Sequence, residues 1–105
     1  MKLNALDREN YFVIQAMQAT LGLITENVYA IAVQVGVERI TLHFAVSNSS
    51  SDFEEDVDDI KSELDAFLEG RFHIDMEVYF GLPDGVWPGR SWRLIYLRHS
   101  RMSGN

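Results

Sequence analysis

Apolar residues recur along this chain with two alternating periods, near 3.6 and near 2, and the switches between them divide it into six predicted elements. The first is a helix over about Arg8 to Leu21, with Asp7 placed to cap its start and Gly22 to supply the left-handed turn at its end. Phe12, Ala16, Ala19 and Leu23 keep helical spacing, Val13, Met17 and Thr20 widen the stripe, and Tyr11 falls at its edge. After Thr25-Glu26-Asn27, the run Val28 to Val35 is nearly all apolar and rich in β-branched residues, which predicts a well-covered strand. Gly36 marks a turn. From Glu38 to Val46 strict alternation sets Ile40, Leu42, Phe44 and Val46 on one side and Arg39, Thr41 and His43 on the other.

The second half repeats the grammar. Ser51 with Glu54 three positions on has the form of a capping box, and Phe53, Val57, Ile60, Leu64 and Phe67 then form the strongest helical stripe in the sequence, closed by Gly70. Ile74, Met76, Val78 and Phe80 alternate with Asp75, Glu77 and Tyr79 in a third strand. The segment Gly81 to Gly89 contains both prolines, Gly81, Gly85 and Gly89, and so predicts a loop. A fourth strand fits Ser91 to Arg98, with Trp92 and Tyr96 on one side, and Ser100 to Asn105 is expected to be a frayed tail. The order αββαββ predicts an α+β fold of two layers: a four-stranded, largely antiparallel sheet built from hairpins, both helices on one face, the other face wet.

A length of 105 residues, with 47% hydrophobic and 24% charged, is the size and composition of one compact domain spanning residues 1–105. The absence of cysteine excludes disulfides, thiolate chemistry and zinc knuckles, and suits a reducing compartment. The first ten residues lack an apolar signal region and no run has the length of a membrane span, so a cytoplasmic, untargeted protein is expected. No internal repeat or low-complexity tract interrupts it.

The net charge of −7 disfavours nucleic acid and anionic membrane as direct partners, and its distribution matters more than its size. Between Asp52 and Glu69, nine carboxylates face Lys61 alone, a balance of −8 that leaves the remainder of the chain at +1. Glu54 with Asp58, Glu55 with Asp59 and Asp59 with Glu63 are like-charge i, i+4 pairs, each costing about 0.2 to 0.5 kcal/mol at low salt. Such runs are commonly no more than a solvated face. The alternative is a surface shaped for a cationic partner, whose approach the carboxylates would accelerate. Arg90, Arg93, Arg98 and Arg101 form a smaller basic group near the C-terminus; against a nucleic-acid patch, the favoured reading is intramolecular, with Arg93 and Arg98 pairing with Asp75, Glu77 or the acidic helix. Trp87, in its Pro/Gly-bounded loop, is either an exposed binding anchor or a lid over the sheet.

Catalytic signatures are weak. His43, His73 and His99 belong to no motif, although His43 opposite Asp75 or Glu77 has the ingredients of an acid/base pair. There is no HExxH, no EF-hand glycine and no glycine-rich phosphate loop, so neither a metal nor another cofactor is expected. The inventory points to binding.

Leu21-Gly22-Leu23-Ile24-Thr25-Glu26-Asn27 leading into the Val28 to Val35 strand, Ile40-Thr41-Leu42-His43-Phe44, the acidic segment Asp52 to Leu68 and Tyr96-Leu97-Arg98 together resemble the immunity proteins of bacterial polymorphic toxin systems. Glu26 departs from the proline that often follows the threonine in that pattern. The resemblance implies a small cytoplasmic antidote, of the kind found in contact-dependent growth inhibition, that binds a cognate toxin domain and has no catalysis of its own. Such toxins are often nucleases, and a carboxylate-rich inhibitor can occupy their phosphate site. On that reading the toxin-binding residues expected are Asp56, Asp59, Glu63 and Asp65, with Trp87 as anchor, and Asp75, Glu77 and Tyr79 as a second surface. A small-molecule or enzyme-subunit role around His43 and Tyr79, and a self-associating module pairing its edge strands, are the competing readings.

Overall fold

The computed structural model describes residues 4–22 and 26–98; Leu23, His99 and the expected tail lie outside them. All the elements expected occur in the expected order: α1 (Ala5–Thr20), β1 (Val28–Val35), β2 (Arg39–Val46), α2 (Ser51–Phe67), β3 (His73–Phe80) and β4 (Arg93–Leu97), plus a 3₁₀ turn over Pro88–Ser91. The fold is α+β.

Both helix starts sit earlier than the sequence pattern suggests, α1 by three residues and α2 by one. Asn4, not Asp7, caps α1, its Oδ1 accepting the Asp7 amide at 2.8 Å. Ser50 caps α2 by accepting the Phe53 amide at 3.1 Å, while Ser49 Oγ donates to Glu54 Oε2 at 2.9 Å, so the Ser51–Glu54 box is not the cap. In a run of three serines, Ser49 to Ser51, spacing alone does not show which hydroxyl meets the free amides. The helix ends follow expectation: Gly22 has φ 80°, and α2 is closed by Glu69 and Gly70, both left-handed.

The sheet corrects the double-hairpin expectation. Its strand order is β3-β2-β1-β4, with β1 antiparallel to both β2 and β4 but β3 parallel to β2. β3 and β4 are thus opposite edges rather than a hairpin. The physical reason lies on either side: α2 carries the chain back along the sheet, as a parallel connection requires, and the loop after Phe80 crosses the whole sheet.

Both helices pack against each other and on one face of the sheet. Phe12, Val13, Ala16 and Ala19 of α1 and Phe53, Ile60 and Leu64 of α2 cover Ile31, Val33, Ile40, Leu42, Phe44, Val46 and Ile74. Met17 and Phe67, placed in those stripes by spacing, lie at their margins, 45% and 37% exposed. Arg8 ties α1 to the β1–β2 turn by donating to the carbonyls of Gly36 and Val37 at 3.0 and 2.6 Å, its guanidinium 5.0 Å from the Phe12 ring centre.

The second face is not wholly wet. Trp87 and the Pro88–Ser91 turn lie across its centre, on the small side chains of Ala30, Ala32 and Ala45, with Tyr29 and Tyr79 beside them. Every residue from Ile40 to Val46 is therefore buried, including Thr41 and His43. On β4 a register shift pairs Tyr96 with Ile31 and Leu94 with Ala32, so Arg93 rather than Trp92 shares the helix side with Tyr96.

Candidate functional site

Helix α2 lies on the sheet with Phe53, Ile60 and Leu64 inward, which obliges its charged positions to ring the exposed side. Asp56, Asp59 and Glu63 fall along one stripe at i, i+3 and i+7; Asp59 and Glu63 are exposed and Asp56 half-buried. Asp65 belongs to the other flank, towards β3, where it shares a cleft with Lys61, Ser62, Phe72 and His73. Glu54 and Asp58 continue that β3-side flank, facing Val78 and Phe80 across a second groove.

Four of the described arginines are engaged elsewhere. Arg39 pairs with Asp75, Arg71 with Glu69, and Arg93 with Glu9 at 3.6 Å and the Asn10 side-chain oxygen at 2.8 Å. Arg98 donates to the Glu26 carbonyl. The expected pairing of Arg93 and Arg98 with Asp75, Glu77 or the acidic helix is thus not what forms, because β4 lies at the edge of the sheet away from β3. Among the described residues, none of the eight carboxylates from Asp52 to Asp65 takes part in an ion pair.

Asp75, Glu77 and Tyr79 point to the face opposite the helices, as β3 alternation requires. Asp75 is already engaged. Partial burial works to raise its carboxyl, but the hydrogen bond and charge of Arg39, joined by His73 at 3.1 Å, outweigh it and hold the group below the ordinary carboxylate range. Tyr79 lies against the backbone of Gly81, where an added Cβ would come within 2.8 Å of its ring.

Trp87 takes the lid role. Only 4% of it is exposed, and it covers the sheet face opposite α2, so loop and acidic helix cannot form one continuous docking surface. Its indole Nε1 is buried with no acceptor among the described residues. Beneath the same turn His43 places Nε2 2.8 Å from Gln34 Oε1, and burial lowers its pKa although Glu77, opposite it on β3, acts to raise it. The His43 Nε2 therefore has a structural partner in Gln34 rather than a carboxylate. Among the described residues no group of three His, Asp or Glu is arranged to hold a metal ion, and no helix is long and apolar enough to cross a membrane.

The structure thus combines an acidic ridge whose carboxylates from Asp52 to Asp65 form no ion pair among the described residues with a small two-layer fold. A family model described as MafI2 immunity protein matches residues 9–99. The chain belongs to the MafI2 immunity protein family. No curated protein matches it. The matched span takes in most of α1 and every later element, so membership covers the two-layer fold as well as the acidic helix. A MafI2 immunity protein is a toxin-neutralising protein, and its partner is a cognate toxin.

The groove that Glu54, Asp58, Val78 and Phe80 line was not anticipated from the sequence. The signal was present in the i, i+4 spacing of the two carboxylates and in the apolar end of β3, but which flank of α2 faces β3 is a tertiary fact.

Proposed function

We propose that this immunity protein inactivates a cationic toxin domain, a nuclease, by docking α2 on the surface that would otherwise hold phosphate, and that it acts by binding alone. The observation that carries the reading is the set of eight carboxylates between Asp52 and Asp65, accompanied by Lys61 alone and forming no ion pair among the described residues. Like charges at i, i+4 weaken the isolated helix, and a positively charged partner relieves that repulsion on contact. Asp56, Asp59 and Glu63 lead the docking surface and Asp65 extends it towards β3. Asp75, Glu77 and Tyr79 form the secondary surface, with Asp75 partly neutralised by Arg39. A stable complex needs about 800 Å² per partner, within reach of α2 and its flanks. The protein acts in the cytoplasm, where a toxin delivered from a neighbouring cell would meet it.

The test is co-expression with the product of the neighbouring gene, affinity capture, and a nuclease assay with and without the chain. In the purified pair, Asp59→Lys with Glu63→Lys lowers the association rate and flattens its salt dependence. An unchanged rate rejects α2 as the docking face, and a captured toxin without nuclease activity rejects the substrate-mimic mechanism.

A further inference from the structure

β3 runs further than the helix layer covers. At its end Val78 and Phe80 still point to the helix side, but they stand 37% and 60% exposed because α2 begins beside them rather than above them. Between the two elements lies an open groove of about 380 Å³, lined by Phe53, Val57, Val78 and Phe80, with Ser49, Glu54 and Asp58 along its upper side. The Ser49 hydroxyl fixes Glu54 there, and Asp58 follows one helical turn on. An exposed phenylalanine beside two carboxylates that form no ion pair among the described residues combines an unfilled apolar seat with a negative rim.

We infer that this groove seats one large apolar side chain of the toxin, presented next to lysine or arginine residues that pair with Glu54 and Asp58. The inference rests on the reading that α2 is the docking face and locates the anchor within it. Charge complementarity selects this occupant. A second copy of the chain would bring Glu54 and Asp58 against their own counterparts, a like-charge approach that disfavours self-association through the groove. A basic segment meets the same rim with attraction, and the apolar floor supplies what the charged ridge lacks: a desolvated contact that slows dissociation rather than one that speeds encounter. Among the described residues no strand neighbours the outer edge of β3 beside the groove, so a partner segment can approach closely.

The test compares dissociation and association separately, using the co-expressed toxin domain carrying an inactivating substitution. Phe80→Ala, at a largely exposed position, leaves the melting temperature nearly unchanged and raises the dissociation rate about ten-fold or more, with the association rate and its salt dependence preserved. Val78→Gln serves as the second variant and shifts dissociation in the same direction. Asp58→Asn slows association. If the Asp59 and Glu63 reversals alter association while Phe80→Ala and Val78→Gln leave dissociation unchanged, the groove is not the anchor site and the acidic docking face stands. If neither pair of substitutions alters binding, the docking face itself is rejected. A dimer of the free chain that Phe80→Ala dissociates overturns the proposal in favour of a second copy as occupant.

Discussion

Gly89 lies flat against the indole of Trp87: a Cβ at this position would stand 2.6 Å from the ring's Cε2 and 2.7 Å from Cβ of His43. The glycine is required by this close approach of backbone to ring. Gly89→Ala must therefore displace the lid or bend the turn, and we expect a loss of about 1 to 3 kcal/mol in chemical denaturation. The same change at Gly85, where an added Cβ meets nothing within 4 Å, should be nearly neutral. Equal effects at the two sites would mean that the lid is not packed as described.

His43, beneath that lid, is held neutral by burial below its ordinary value of 6.5. The unfolded chain then binds a proton more readily than the fold, so this residue's contribution is present above pH 6.5 and is lost as pH falls through 6.5 towards the lowered folded value. Wild type should lose more stability between pH 7.5 and 5.5 than His43→Gln, and parallel pH profiles would contradict a neutral buried ring.

The cap of α2 distinguishes adjacent serines. Ser50→Ala removes the acceptor of the Phe53 amide and should cost about 1 kcal/mol, whereas Ser51→Ala should stay within about 0.5 kcal/mol. Thermal denaturation of the two variants checks the assignment.

Repulsion along α2 predicts an opposition between stability and function. Asp59→Lys replaces like-charge pairs with Glu55 and Glu63 by attractive ones, and should stabilise the free protein by about 1 kcal/mol at low salt, less at high salt. The same variant should bind the toxin more weakly. A variant that gains stability and loses no affinity would show the ridge to be a solvated face only.

Deletion in the shared core should be severe. Leu64, fully buried between α2 and the sheet, should cost about 2 to 5 kcal/mol when truncated to alanine, measured by urea unfolding.

The identity and order of the elements were legible because each period is enforced locally: Ile40, Leu42, Phe44 and Val46 can share a face only as a strand, and Phe53, Val57, Ile60 and Leu64 only as a helix. The acidity of α2 was equally plain, since eight carboxylates in seventeen residues need no fold to be counted. What pairs with what was not. Alternation says that Asp75, Glu77 and Tyr79 share a face, but not that β3 lies parallel to β2 or that β4 joins the far edge, where Arg93 and Arg98 are out of reach of the acidic helix. Nor does Trp87 advertise its direction: the alanines that receive it, Ala30, Ala32 and Ala45, come from two strands that meet only when the sheet forms. Periodicity is a property of neighbours along the chain and was readable there; strand order, the lid and the flank of α2 beside Phe80 depend on contacts between distant segments, which only burial of the common core brings together.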